Sequence, residues 1–167
     1  IRHTCIEKKG KVIIPAFSVG RTQEIVYMLD KLEREGLLPR VPVYVDSPLA
    51  VNATEVFVKH PECFDSELHR YMTEDENPFG FNNLYYLRNT EGSKQLNTST
   101  KPCIIISASG MMNAGRIRHH LLNNIENQRN TFLIVGYCTP NTPGGQLRAG
   151  AKSIHIMGQF KQVLADV

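Results

Sequence analysis

Short β-branched runs alternate along the chain with amphipathic segments, and each run ends in a loop of small or polar residues. The clearest runs are KVIIPAF at 11–17, VYVD at 43–46 and PCIIIS at 102–107. Continuous apolar runs of this length are typical of strands that are buried on both faces. The pattern therefore predicts an α/β fold with a mainly parallel β-sheet and helices on both faces.

The segments between and after these strands predict the remaining elements. Apolar residues at helical spacing indicate a helix with Thr22 as its N-cap and Gly36 at its end. Pro48 suits the first turn of a second helix. The other predicted elements are an acidic surface helix with irregular flanks within 61–82, a strand at 83–88, a short helix at 91–96, a helix from 114 to about 125, a strand at 131–137, a short helix around 147–148, and short strands at 153–156 and 162–165.

Length and composition fit one globular domain. The chain has 167 residues, of which 41% are hydrophobic, and this leaves little room for two domains. Its longest apolar runs fall far short of the roughly 20 residues that cross a bilayer, so no membrane segment is expected. Four cysteines without C-x-x-C spacing favour buried free thiols in a reducing cytoplasm over disulfides or a zinc knuckle. Because the chain starts at Ile1 in a helix-like segment, we expect it to be a piece of a longer protein.

The formal net charge of +3 conceals an uneven distribution. Residues 1–40 carry eight basic and five acidic side chains, residues 41–80 two and eight, and residues 81–167 nine and three. A polyanion would be attracted to the two basic segments if the fold brought them to one face. Charge alone favours the simpler interpretation that these side chains solvate the surface. If a polyanion site exists, we expect the acidic segment to face away from it.

Two loops that follow predicted strands have the composition of anion-binding sites. Each combines hydroxyls, glycine and a guanidinium beside the start of a helix, where free N–H groups favour phosphate or carboxylate. The residues are Ser18, Gly20, Arg21 and Thr22 in the first loop and Ser107, Ser109, Gly110 and Arg116 in the second. Open α/β sheets bind ligands at the carboxyl ends of their strands, so the loops predict one shared anion-binding edge. Ordinary helix capping is the alternative for each loop.

Asp46 ends an apolar strand directly before Ser47 and Pro48. It is either a helix cap or a carboxylate at the ligand-binding edge that orients a catalytic histidine or a metal ligand. The six histidines lack H-x-H and H-E-x-x-H spacing, so no metal site built from this chain alone is expected. Neither a G-x-S-x-G elbow nor a Cys/His pairing indicates a nucleophile.

Four sequence blocks occur in the order and spacing of a known domain family. They are GKVIIPAFSVGRTQE from Gly10, VYVDSPLA at 43–50, SASGMM at 107–112 with AGR at 114–116, and VGYCTPNTPG at 135–144. In these blocks the chain resembles the β-CASP domain, as a single domain over residues 1–167. That domain is inserted in metallo-β-lactamase-type nucleases acting on RNA, the group of the cleavage and polyadenylation endonuclease and its bacterial and archaeal relatives.

The resemblance implies a Rossmann-like three-layer domain within a larger, metal-dependent ribonuclease. A lactamase-like domain on both sides of the chain would supply H-x-H-x-D-H ligands for two zinc ions that activate a water against a phosphodiester. Single-stranded RNA would lie in the cleft between the domains, against the two loops. Asp46 would be the first family motif, a catalytic residue near the metals. The resemblance leaves a homodimer open.

The chain departs from the family pattern at one motif. The second motif is usually a histidine in a G-T-x-G-H/R-type stretch, with a proton-donating role, but the stretch from Asn141 to Gln146 has no histidine. Either Gln146 makes only a hydrogen bond or the donor comes from elsewhere, and the third motif would lie beyond Val167. A non-catalytic module that binds RNA or a partner, and a nucleotide- or sugar-phosphate-binding domain, therefore remain alternatives. We expect the isolated chain to be inactive, because it lacks a metal set.

Overall fold

The computed structural model describes residues 1–167 and is built around a five-stranded parallel sheet. Its strands are β1 (Lys11–Pro15), β2 (Val43–Val45), β3 (Leu84–Tyr86), β4 (Cys103–Ser107) and β5 (Thr131–Phe132). The strand order is β3-β2-β4-β1-β5, and every neighbouring pair is parallel. The predicted α/β class with a mainly parallel sheet is confirmed.

Six α-helices and an antiparallel hairpin complete the domain. The helices are α1 (Arg21–Arg34), α2 (Pro48–Lys59), α3 (Ser66–Met72), α4 (Thr90–Thr98), α5 (Ile117–Asn124) and α6 (Pro143–Arg148). The hairpin pairs β6 (Ser153–Ile156) with β7 (Gln159–Gln162), and single turns of π- and 3-10-helix span His3–Glu7 and Pro61–Cys63. None of the helices combines the length and the apolar character needed to span a bilayer.

Helices cover both faces of the sheet and produce three layers. Successive side chains of a strand point to opposite faces. Val12 and Ile14 of β1 therefore join one apolar cluster with Val26 of α1, whereas Ile13 joins a second cluster with Leu121 of α5. All five side chains are at most 1% exposed.

The strand order creates a topological switch point at the carboxyl edge of the sheet. β1 and β4 are neighbours, but α1 follows β1 on one face and α5 follows β4 on the other. Their carboxyl ends therefore border a topological switch point, which is where open α/β sheets bind ligands. Both loops that we predicted as anion sites lie at this edge.

Three predicted boundaries differ from the structure. The strand predicted over 131–137 pairs only at Thr131–Phe132, and after a last bond from Leu133 N to Ile13 O (2.9 Å) the chain leaves the sheet. The helix predicted from 114 begins at Ile117, because Gly115 has a φ of 76° that no helix adopts. The last strand lies at 159–162 rather than 162–165, since the hairpin turns at Met157 and Gly158.

The start of α1 also differs from the prediction. Gly20, with a φ of 81°, is the N-cap residue in place of Thr22. Thr22 lies inside the first turn, and its hydroxyl donates to Phe17 O at 2.6 Å. All four cysteines are free thiols, and only Cys63 is exposed.

Candidate functional site at the carboxyl edge of the sheet

Loops from three strands meet at the carboxyl edge. The hydroxyls of Ser18, after β1, and Ser47, after β2, lie 3.1 Å apart. The ring of Phe17 borders Gly110, after β4, so closely that a Cβ on this glycine would lie 3.3 Å from the ring. The contacts bring the two predicted anion loops into one continuous surface.

Asp46 lies beneath this surface at the end of β2 and is completely buried. Its Oδ1 accepts a hydrogen bond from Arg116 Nη1 at 2.7 Å. Its Oδ2 accepts from His120 Nε2 at 2.7 Å and from Ser93 Oγ at 2.5 Å. Its main-chain carbonyl accepts from Ser107 Oγ at 2.8 Å. Asp46 thus joins β2, β4, α4 and α5 through its carboxylate and its main-chain carbonyl.

Arg116 connects this carboxylate to the loop between β3 and α4. Its guanidinium donates to Leu87 O at 3.3 Å and to Arg88 O at 2.8 Å, in addition to Asp46. Only 17% of its side chain is exposed. The guanidinium is therefore directed inward, toward the ion pair and the main-chain carbonyls.

The surroundings of Asp46 hold its carboxylate in the ionised form. Burial by itself would raise the pKa of the Asp46 carboxyl. Hydrogen bonds from His120 and Ser93 and the ion pair with Arg116 outweigh that effect, so the pKa of Asp46 lies below its ordinary value.

His120 is held between two oxygen acceptors. Its Nδ1 lies 2.9 Å from Asn97 Oδ1, and its Nε2 faces Asp46. Asn97 Nδ2 donates to Ser93 O at 3.3 Å, and this bond directs the amide oxygen toward the imidazole. These contacts therefore fix the orientation of the imidazole ring.

The polar network continues under the sheet to the opposite end of β1. Asn124 Nδ2 donates to Asn97 Oδ1 at 3.3 Å. Lys11 Nζ donates to Asn124 Oδ1 at 3.2 Å and to Leu96 O at 2.6 Å. Lys11 is only 4% exposed, and burial lowers the pKa of its ammonium group. A chain of buried hydrogen bonds therefore links Lys11 to the carboxyl edge.

The residues of the first predicted loop divide by exposure. Thr22 is buried, and its hydroxyl closes the loop onto Phe17 O. Ser18 is half-buried, whereas Gly20 and Arg21 face solvent. Arg21 Nη1 pairs with Glu24 Oε2 at 2.6 Å.

The second predicted loop shows the same division. Ser107 is buried against Asp46, whereas Ser109 and Gly110 are half-buried. Ser109 Oγ donates to Asn113 Oδ1 at 2.9 Å. All of the predicted site residues thus lie at or directly below one edge, and the exposed members belong to the loop tips.

Two further residues of the site, Ser93 and His120, were not predicted from the sequence. A usable signal existed for His120, because Arg116 lies four positions before it and residues four apart share a helix face. His119 is exposed and His120 is buried, so only one of the adjacent histidines takes part. Ser93 had no local signal, because its role depends on a partner 47 positions away.

A family model described as the Beta-Casp domain matches residues 22–147. The chain belongs to the Beta-Casp (β-CASP) domain family. It is 34% identical over 162 residues to Ribonuclease TTHA0252 of Thermus thermophilus, an alignment that covers 97% of this chain and 37% of that protein. Transcription termination factor FttA of Methanosarcina mazei is 35% identical over 155 residues, covering 92% of this chain and 24% of FttA.

An RNase J-like protein of Methanocaldococcus jannaschii is 34% identical over 149 residues, which cover 89% of this chain and 33% of that protein. This Beta-Casp domain therefore spans 24% to 37% of the length of these three curated relatives.

The stretch from Asn141 to Gln146, in which the family resemblance implies a histidine, forms the start of α6. Thr142 caps this helix, and its Oγ1 accepts from Gly145 N at 3.1 Å. Gly145 is buried, and a Cβ at this position would lie 2.0 Å from Thr139 O. Gln146 is exposed to solvent. The main chain therefore leaves no room for a side chain at position 145 of this Beta-Casp domain.

No group of three or more His, Cys, Asp or Glu side chains in the domain is arranged to hold a metal ion. Asp46, which the family resemblance puts near zinc, has both carboxylate oxygens occupied by Arg116, His120 and Ser93. It is also shielded from solvent. The Asp46 carboxylate does not fit a direct zinc ligand in this arrangement.

Asp46→Asn is expected to lower the free energy of unfolding by about 3–5 kcal/mol, because the Arg116 guanidinium then loses its buried counter-charge. Urea denaturation near neutral pH measures this change. Asp166→Asn is the control, since it removes a half-exposed partner of Lys8 and should cost less than about 1 kcal/mol. Similar losses in both variants would contradict the importance of the network.

The stability of the unsubstituted chain and of Asp46→Asn is expected to depend differently on pH. The pKa of Asp46 is lowered in the folded chain, whereas an unfolded Asp titrates near 3.9. Its stabilisation is therefore complete above about pH 4 and is lost as the pH falls through the lowered pKa. The unsubstituted chain should lose stability on acidification more steeply than Asp46→Asn, and parallel curves would contradict this assignment.

Gly145→Ala is expected to reduce the melting temperature by several degrees, because its Cβ would collide with Thr139 O. Gly136→Ala is the matched control, since a Cβ at position 136 meets nothing within 4 Å. Differential scanning calorimetry compares the two variants. A Gly145→Ala protein as stable as the control would show that the loop adapts to a side chain.

Proposed function

We propose that this Beta-Casp domain is part of a metal-dependent, RNA-processing nuclease, in which it forms one wall of the RNA cleft. The similarity to a protein named as a ribonuclease, along 97% of this chain, carries the proposal. The name of the RNase J-like relative points to the same class. The carboxyl edge supports it, because exposed loops meet there at the switch point of the sheet.

In this proposal the loop tips bind the RNA backbone. Ser18, Gly20 and Arg21 lie at the start of α1, a helix of 14 residues, whose dipole favours a phosphate. Ser109 and Gly110 extend that surface on the neighbouring loop. Three predicted residues lie below the surface and stabilise the conformation of the loops instead of contacting RNA. They are Thr22, Ser107 and Arg116.

The charge distribution agrees with this orientation. α1 starts at the carboxyl edge and ends about 20 Å away from it. In its last turns, Lys31 and Arg34 pair with Glu67 and Glu74 of the acidic segment at 3.4 and 3.3 Å. We therefore propose that the acidic segment faces away from the RNA.

The hydrolytic chemistry would belong to a metallo-β-lactamase domain of the same protein. When bound there, two zinc ions would activate a water for attack on the phosphodiester. Asp46 would then be a positioning residue, which holds Arg116 and the second loop beside the metal site. A cytoplasmic location belongs to the same proposal, because buried free thiols suit a reducing compartment.

One observation favours a second candidate function. The stretch that usually carries the proton-donating histidine has a buried glycine, Gly145, without room for a side chain. A module that binds RNA or a partner protein without cleaving RNA would need no proton donor there. Cleavage and binding must therefore be measured separately.

The chain is expected to bind a single-stranded oligoribonucleotide with an affinity that falls as salt rises. Arg21→Ala should weaken binding and reduce the salt slope by about 1, because one phosphate contact is lost. Arg34→Ala, at the far end of α1, is the matched control and should bind normally. Fluorescence anisotropy across a salt series tests this. Salt-independent binding, or equal affinity for mononucleotides, would instead support a nucleotide-binding domain.

A polypeptide that joins this domain to its lactamase-like domain is expected to cleave single-stranded RNA in the presence of zinc. The chain of 167 residues should cleave none, because it has no metal set. Electrophoresis of end-labelled RNA provides the measurement. Retained RNA binding without cleavage, at full zinc occupancy, would favour the non-catalytic candidate. Zinc-dependent cleavage by the 167 residues alone would contradict the division of roles.

A further inference from the structure

Two large aromatic side chains are exposed at the carboxyl edge. Phe17, in the loop after β1, is 55% exposed, and Tyr137, in the segment after β5, is 69% exposed. Aromatic rings carry a large hydrophobic surface, which folding usually buries. Neither ring is required for the core, so their exposure at the proposed site needs another explanation.

Gly110 joins the two aromatic loops. The Phe17 ring rests against this glycine, where an added Cβ would approach the ring to 3.3 Å. Cys138 Sγ, directly after Tyr137, lies 3.5 Å from Gly110 O. Both rings are therefore carried by loops that contact the same residue, and one side of the Phe17 ring is fixed by packing while the remainder is open.

Basic side chains accompany both rings. Arg21 follows Phe17 by four positions and faces solvent. Arg148 is also exposed, and its Nη1 donates to Gly136 O at 3.3 Å, next to Tyr137. Glu24, the carboxylate beside Arg21, is already paired with it. Aromatic rings interleaved with guanidinium groups are typical of surfaces that bind single-stranded nucleic acid, whereas a protein-binding patch is depleted of charge at its centre.

We propose that Phe17 and Tyr137 are stacking platforms for two bases of single-stranded RNA, while neighbouring cations contact the phosphates. This inference rests on the proposed function and deepens it, because it makes the bases themselves a source of affinity. Every base has a π-face, so stacking of this kind tolerates any sequence. The domain would then prefer unpaired RNA, whose bases are free to stack, over a duplex.

The test compares Phe17→Leu and Tyr137→Leu with the unsubstituted chain. Leucine keeps apolar bulk but removes the ring, and each change should weaken binding of an unstructured oligoribonucleotide by roughly 5-fold or more. Phe160→Leu is the matched control, because Phe160 is 82% exposed on the hairpin strand β7, where the adjacent Lys161 pairs with Glu126 beyond the far end of α5. That variant should bind like the unsubstituted chain, and circular dichroism should show all three variants folded.

A second probe, an oligomer of abasic ribose phosphates, separates stacking from charge. The unsubstituted chain should bind it more weakly than RNA, and the two edge variants should bind it no worse than the unsubstituted chain. Photocrosslinking of RNA that carries 5-iodouridine should, in addition, label Phe17 or Tyr137, as identified by mass spectrometry.

Three results would overturn the inference. Equal weakening on RNA and on the abasic probe would show that the substitutions perturb phosphate contacts. Salt-dependent RNA binding that neither edge substitution changes would leave the proposed function intact and indicate that the rings contact protein. No RNA binding by the unsubstituted chain would contradict both the inference and the proposed function.

Discussion

A single buried carboxylate organises the carboxyl edge of this domain. Asp46 is held by Arg116, His120 and Ser93, and its main-chain carbonyl is held by Ser107. A buried charge is tolerable only when it is paired and fully hydrogen-bonded. The hydrogen bonds that meet this requirement fix the positions of α4, α5 and the end of β4 relative to β2. The buried hydrogen bonds of Asp46 therefore fix the positions of the loops that carry the exposed groups proposed to bind RNA.

Much of the fold could be predicted from local patterns. β1 and β4 are Val/Ile-rich runs, and burial on both faces of a parallel sheet requires such runs. The pattern failed at 131–137, where apolar residues continue although the strand stops. β1 continues beyond its last pair with β5, but Pro15 has no N–H to donate to the next carbonyl of the β5 segment. An apolar run predicts burial, but pairing also requires a partner that can complete the main-chain hydrogen bonds.

The site could be predicted only in outline. Composition identified both loops and Asp46, since hydroxyls, glycine and carboxylates at strand ends stand out locally. The direction of each side chain could not be predicted. Three of the predicted side chains point inward because they donate to buried main-chain carbonyls or to the Asp46 carboxylate. They are Thr22, Ser107 and Arg116. Those partners are supplied by the tertiary fold, and for Arg116 the carboxylate lies 70 positions away in the chain.

The buried grouping of Asp46, Arg116 and His120 also limits how descendants of this sequence diverge. Arg116 and His120 lie 70 and 74 positions from Asp46. Replacing Asp46 or Arg116 alone leaves the other as a charge without its ion-pair partner, and replacing His120 removes a hydrogen bond from the buried carboxylate. The three residues are therefore expected to be inherited as a set. Phe17 and Tyr137 contribute surface rather than core, so lineages can exchange them singly. The exposed surface at the carboxyl edge can therefore change its binding properties while the buried hydrogen-bond network stays the same.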